Sequence, residues 1–98
     1  MATYLLLSSL TDEGRKTVKE RPDRLQEVNK ELETMGGRVI AQYAVLGMYD
    51  FLTVVEAASN EVIARISVEL GSRGTVQITT LPAMSIASFL DLFKANAG

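Results

Sequence analysis

The residues best suited to contact a ligand lie in and beside one short segment at the middle of this 98-residue chain. Gly47, Tyr49 and Asp50 stand between two β-rich runs, where a phenol and a carboxylate on a turn could bind an amine or an amide. A structural role is the alternative, because glycine and aspartate are common turn residues and a tyrosine ring often packs to anchor a hairpin. Glu56 could act as a general base with a pKa raised by burial, or could be a solvated carboxylate at a strand end.

Histidine and cysteine are both absent from the sequence, and this limits the chemistry available to the chain. Without histidine it lacks the commonest metal ligand and the usual general base at neutral pH. Without cysteine it has neither a disulfide framework nor a thiolate site. No nucleophilic triad, phosphate-binding loop or dinucleotide fingerprint is present in the sequence. We therefore expect no metal and no cofactor, and the net charge of −2 argues against a nucleic-acid partner.

The hydrophobic pattern predicts the order β-α-β-β-α-β followed by a C-terminal helix. Thr11 is expected to cap the first helix, and Pro22 to divide it into a short opening turn and a longer helix. Ser59 or Asn60 is expected to cap the next helix, and the last helix is expected from Ser85 to Ala95. The predicted strands are Tyr4–Leu7 with an extension to Ser9, Arg38–Leu46, Phe51–Ala57, and Thr75–Leu81 ended by Pro82.

Strand residues alternate between the two faces of a sheet, and neither predicted face is uniformly polar. One face would carry Gln42, Glu56 and Gln77 among Leu5, Leu7, Ile40, Ala44, Leu52, Val54 and Thr79. The other would carry Tyr43 among Tyr4, Leu6, Val39, Ala41, Phe51, Thr53, Val55, Val76 and Ile78.

Helices that cover one side of this sheet would leave a largely apolar surface on the other. We expect a second copy of the sheet, or the C-terminal helix, to cover that surface. Burying Gln42, Glu56 and Gln77 under helices would be costly unless all three were fully hydrogen-bonded. Their face is therefore the predicted interface or ligand face. The alternative, that all three meet water at strand ends, stays open.

Several short motifs follow one another along nearly the whole chain in a recognisable order. They are Thr11-x-x-Gly14, Pro22-x-Arg24, Gly36-Gly37, Leu46-Gly47-x-Tyr49-Asp50, Glu56-Ala57 and Gly74-Thr75-Val76. The set resembles the GYD domain family. The hairpin at Gly47-x-Tyr49-Asp50 and the later Gly74-x-Val76 are also similar, to a lesser degree, to the effector-binding domain of leucine-responsive regulators. Met48 and Gln77 depart from the GYD family, which often has an acidic and a basic residue at these two positions.

The resemblance implies a single α+β domain over residues 1–98, with a ferredoxin-like βαββαβ fold of the dimeric α/β-barrel kind. In the leucine-responsive regulators the corresponding hairpin lies at a subunit interface where amino acids bind. The resemblance implies no established activity.

Two functions follow as hypotheses. The first is a non-enzymatic homo-oligomer, a dimer or larger, that binds a small metabolite or a partner at its sheet face. Its ligand-binding residues would be Gly47, Tyr49, Asp50, Glu56, Gln42, Gln77 and Tyr43. The second is a cofactor-independent monooxygenase or isomerase, which needs an enclosed pocket with a buried acid or base such as Glu56 or Tyr43.

No apolar run approaches the length of about 20 residues that a bilayer requires, so we expect no membrane association and a cytoplasmic protein.

Overall fold

The computed structural model describes residues 1–94 and contains one antiparallel sheet with helices against one of its faces. The strand order is β2-β3-β1-β4. This is the ferredoxin-like arrangement, and it confirms the predicted fold class. The predicted helix end at Ala95 lies outside the described residues. The elements are β1 (Ala2–Leu10), α1 (Asp12–Glu20), α2 (Arg24–Thr34), β2 (Arg38–Ala44), β3 (Phe51–Ala57), α3 (Asn60–Gly71), β4 (Val76–Ala83) and α4 (Ile86–Lys94).

Hydroxyl side chains cap helices α1 and α3 where the sequence predicts them. The Gly14 amide donates to Thr11 Oγ1 at 3.1 Å, so Thr11 caps α1. Of the two candidates for α3, Ser59 is the cap, and its Oγ accepts from the Val62 amide at 3.4 Å. The chain between α1 and α2 passes through Pro22, which confirms the predicted division. The first part is a nine-residue helix and not the short opening turn that the sequence predicts.

The predicted end of the fourth strand at Pro82 is wrong. β4 continues to Ala83, and Pro82 lies opposite Tyr4 of β1. β4 is an edge strand, and an edge strand needs ladder hydrogen bonds on only one side. A residue without an N–H is therefore tolerated there, whereas it would interrupt a central strand.

The core lies between the sheet and helices α1 to α3. Its buried apolar residues are Tyr4, Leu6, Val55 and Ala57 from the sheet and Leu32, Ile63, Ile66 and Leu70 from α2 and α3. The opposite face of the sheet, which we call the open face, remains accessible, and Tyr43 on it is 60% exposed. Helix α4 has no buried residue and does not cover the open face of its own chain. Covering by the C-terminal helix of the same chain is therefore not observed, and covering by a second copy stays a prediction.

Candidate binding surfaces

Strand β2 contains an irregularity that changes which of its residues face the helices. Val39 lies opposite Val55, whereas Ala41 lies opposite Val54, so Ile40 is an extra residue in β2. Such a bulge places two residues of one strand against one of its neighbour. Beyond Ile40 the alternation of β2 is therefore inverted relative to an unbroken strand.

The inversion moves Gln42 to the helix-covered face and Tyr43 to the open face. Gln42 lies opposite Thr53, which is 4% exposed beneath the helices. The prediction that Gln42 shares a face with Glu56 and Gln77 is therefore wrong, because strict alternation cannot anticipate an inserted residue. Tyr43 joins the face of Glu56 and Gln77 by the same shift.

Beneath the helices, Gln42 is held in a small hydrogen-bonded network. Its side-chain amide pairs reciprocally with that of Asn29 on α2, at 2.8 Å and 3.2 Å. Its Nε2 also donates to the Thr53 hydroxyl at 2.9 Å. These bonds offset the desolvation cost that makes an unpaired amide unfavourable in a core.

The open face is apolar at its centre and polar at both ends. One end carries Arg38, Glu56 and Thr3 in neighbouring strands, and the other end carries Ser9 beside Gln77. The register places the following apolar residues between them: Leu5, Leu7, Ala41, Leu52, Val54 and Leu81. An apolar centre with a polar rim is the usual anatomy of a protein interface.

Glu56 and Gln77 do not form one site within a single chain. Glu56 lies level with Thr3 of β1, and Gln77 lies level with Ser9. At about 3.3 Å per residue, the two positions are separated along β1 by about 20 Å. The Glu56 carboxylate is 3.9 Å from Arg38 Nη1, and its side chain is 34% exposed. Its position is that of a solvated ion pair at the end of the sheet.

The β2–β3 loop is held in place by Asp50. The Leu10 amide donates to Asp50 Oδ2 at 2.7 Å, and the Asp50 amide donates to the Ser8 carbonyl at 2.8 Å. Asp50 directly precedes β3, and its carboxylate thus replaces a backbone carbonyl as acceptor for Leu10, the last residue of β1. Gly47 has a φ of +116°, a conformation that favours glycine. Tyr49 is half-buried, so neither it nor Asp50 is a fully free side chain.

The exposed part of this loop is apolar. Leu46 is fully accessible and Met48 is 84% exposed, while the Ser9 hydroxyl donates to the Met48 carbonyl at 3.0 Å. The loop therefore presents two apolar side chains from a hydrogen-bonded backbone. Sequence analysis selected the polar residues of this segment and missed these two.

A cavity of about 160 Å³ lies between the helix-covered face of the sheet, helices α1 and α2, and the end of α3. Its polar lining residues are Ser8, Thr17, Arg24, Asn29, Gln42, Thr53, Arg73 and Thr75. Of the seven predicted site residues, Gln42 alone lines it. Sequence analysis missed this site, because its residues come from six segments that only the fold brings together.

Two arginines at this cavity share one carboxylate. Arg24 Nη1 donates to Glu31 Oε1 at 3.0 Å, and Arg73 Nη1 also binds Glu31, across the gap between α2 and the α3–β4 connection. Hydrogen bonds from Arg73 and then from Arg24 hold the pKa of Glu31 below its ordinary value. The bonds to Glu31 and Glu27 raise the pKa of Arg24 in turn.

The fold and the hydrogen-bonded β2–β3 loop define a small α+β domain with one uncovered sheet face. The sequence matches the GYD domain family over residues 4–92, and the chain belongs to that family.

A relative in Thermus thermophilus, named as a glutamine synthetase and cystathionine beta-lyase binding protein, is 48% identical over 95 residues. The alignment covers 96% of this chain and 100% of the relative.

Solved structures share the fold at lower identity. FFRP-DM1 is 22% identical with a TM-score of 0.57, and the match covers 86% of this chain and 100% of that one. A hypothetical protein of Pyrococcus horikoshii, PHS023, is 22% identical with a TM-score of 0.56, over 87% of this chain and 92% of that one. Among residues 1–94, no helix has the length and apolar character needed to cross a membrane.

Proposed function

We propose that this chain is a cytoplasmic, non-enzymatic module that assembles with a second copy through its open face and binds a partner protein. The observation that carries the proposal is the apolar centre of the open face, which no helix within residues 1–94 covers. Exposed apolar surfaces of this kind mark interaction sites.

Helix α4 adds a second uncovered apolar surface, made of Ile86, Phe89, Leu90 and Phe93. These side chains are 72%, 45%, 48% and 63% exposed, respectively. The rings of Phe89 and Phe93 contact each other edge to face, with centroids 5.3 Å apart. A helix with this much accessible aromatic surface gains stability when it packs against another protein surface.

The open face is small compared with a typical stable interface. Four strands at about 4.8 Å spacing, over about 20 Å of strand, give roughly 400 Å². A stable interface buries about 800 Å² on each partner. The open face alone falls short, so we propose that α4 of each protomer packs on the other protomer and completes the interface.

For the partner protein we propose contact through Leu46 and Met48 of the β2–β3 loop. They are apolar and strongly exposed, and methionine adapts readily to different binding surfaces. The relative's name supports protein binding as the function. By similarity, glutamine synthetase and cystathionine β-lyase are the proposed partners of this chain.

The enzymatic alternative is less well supported by the site residues. Neither Glu56 nor Tyr43 lines the cavity, and among its lining residues arginine is the only ionisable type. The cavity thus has no residue that could take a proton from a substrate near neutral pH. We therefore favour binding over catalysis.

Sedimentation velocity at micromolar concentration tests the assembly. We expect the parent chain to sediment as a dimer or larger, and Leu5→Glu at the centre of the open face to sediment as a monomer. Val68→Glu is the matched control, because Val68 lies on α3 and is 71% exposed. A monomeric parent chain would contradict the proposed assembly.

Binding of the partners is tested with purified glutamine synthetase and cystathionine β-lyase from the source organism, by surface plasmon resonance. We expect the double substitution Leu46→Ser and Met48→Ser to abolish binding and to leave the sedimentation coefficient unchanged. If neither enzyme binds the parent chain, the proposed partners are wrong, whatever the oligomeric state.

A further inference from the structure

We propose that the cavity between α1, α2 and the sheet binds a small monocarboxylate with a compact apolar body. This site lies on the opposite side of the sheet from the open face. It depends neither on the proposed assembly nor on the proposed partner.

The size of the cavity sets the size of the ligand. Its volume is about 160 Å³. An apolar cavity of about 150 Å³ accommodates benzene, so a ligand of about six to nine non-hydrogen atoms fits. Most of the wall is apolar, with Leu10, Val18, Leu25, Val28, Phe51 and Val76 among the lining residues. The body of the ligand is therefore apolar and either branched or cyclic.

The floor of the cavity offers hydrogen-bond donors. Gln42 bonds to both Asn29 and Thr53, so the Asn29 amide and the Thr53 hydroxyl are held in fixed positions. Ser8 also lines the cavity, and its hydroxyl has no hydrogen-bond partner among residues 1–94. A ligand acceptor would give this hydroxyl the partner that it lacks.

The two charged lining residues offer hydrogen-bond donors suited to a carboxylate. Arg24 and Arg73 are the only ionisable residues among them. Their neutralising carboxylates, Glu27, Glu31 and Glu69, do not line the cavity. Arg24 uses Nη1 for both of its bonds to carboxylates, which leaves further N–H donors of its guanidinium for a ligand. Guanidinium donors bind carboxylates in preference to neutral acceptors and repel ammonium groups.

The probes for this site are benzoate, benzyl alcohol and benzylamine, which share one apolar body and differ in charge. Each is titrated into the full ¹⁵N-labelled chain and followed by amide chemical shifts. We expect saturable shifts at Ser8, Phe51 and Val76 with benzoate. Because a hydrogen bond to a charged group is stronger than one to a neutral group, we expect about tenfold weaker binding of benzyl alcohol and still weaker binding of benzylamine.

Two sets of variants localise the binding. Val28→Phe fills the cavity and is expected to abolish the benzoate shifts, whereas Val68→Phe, the same exchange on the exposed side of α3, is expected to preserve them. The double substitution Arg24→Gln and Arg73→Gln is expected to weaken benzoate binding about tenfold and to leave benzyl alcohol binding unchanged. Circular dichroism checks that every variant is folded.

Three outcomes would overturn the proposal. The first is the absence of saturable shifts with benzoate, which would mean that the cavity holds only water or is empty. The second is equal affinity for benzoate and benzyl alcohol, which would show that the arginines do not bind the carboxylate. The third is unchanged benzoate binding by a folded Val28→Phe variant, which would place the ligand elsewhere.

Discussion

Replacement of Asp50 tests whether the carboxylate of the family's glycine-tyrosine-aspartate loop is structural. The bond from the Leu10 amide to Asp50 Oδ2 is 2.7 Å long and half-buried. A hydrogen bond to a charged group contributes about 1.5 to 3 kcal/mol, and alanine would leave the Leu10 amide without this acceptor. We expect Asp50→Ala to lower the free energy of unfolding by about 2 kcal/mol, which is about 10 °C in Tm for a domain of this size.

Two comparison variants separate the hydrogen bond from the charge. Asn at position 50 keeps an acceptor oxygen of the same shape, so Asp50→Asn should cost less, about 1 kcal/mol. Asp23→Ala is the control, because the Asp23 side chain is exposed and makes no capping bond.

Urea unfolding followed by circular dichroism measures all three differences. If Asp50→Ala unfolds at the same urea concentration as the parent chain, the carboxylate contributes nothing to stability. The proposed structural role of Asp50 in this loop is then refuted, and its carboxylate becomes available as a ligand contact.

Two further predictions concern α1 and the shared carboxylate on α2. A Cβ at Gly14 would lie 2.0 Å from the Thr75 carbonyl oxygen. We therefore expect Gly14→Ala to lower the free energy of unfolding, measured by thermal unfolding, by about 1 to 3 kcal/mol. Gly71→Ala, whose added Cβ meets nothing within 4 Å, should be neutral or stabilising, and equal effects of both would contradict the clash. Because the pKa of Glu31 is held below 4.5, its ion pairs stabilise the fold above that pH and are lost as the pH falls through the lowered value. Glu31→Gln should therefore lower the free energy of unfolding by about 1 kcal/mol at pH 7, a modest amount because the side chains of Arg24, Arg73 and Glu31 are about one-third exposed. This deficit in stability should disappear in acid. A deficit that does not shrink as the pH is lowered through the acid range would refute the ion-pair explanation.

Local signals in the sequence predicted most of the elements. Thr11 and Ser59 cap helices because a hydroxyl one turn before an amphipathic stripe binds a free helix amide, and that requirement is contained in a few consecutive residues. Pro22 divides a helix for an equally local reason, since it lacks an amide hydrogen. The element order and the family motifs then led to the observed fold.

Features that depend on neighbours distant in the sequence were not predicted. Pro82 does not end β4 as predicted. An edge strand tolerates a proline, and only the order of strands in the sheet shows that β4 is at the edge. Gln42 was placed on the wrong face, because the extra residue Ile40 is defined only by pairing with β3.

The sequence by itself determined the order of strands and helices, the Thr11 cap and the presence of apolar residues on both faces of the sheet, because each follows from residues within a turn or two. The tertiary structure alone decided which side chains meet. Arg73 and Glu31 are 42 residues apart in the chain, and the cavity beside them exists because α2 and the end of α3 lie across the same sheet face without closing over it. Contacts of this kind are set by strand register and helix placement, which depend on the packing of the whole domain.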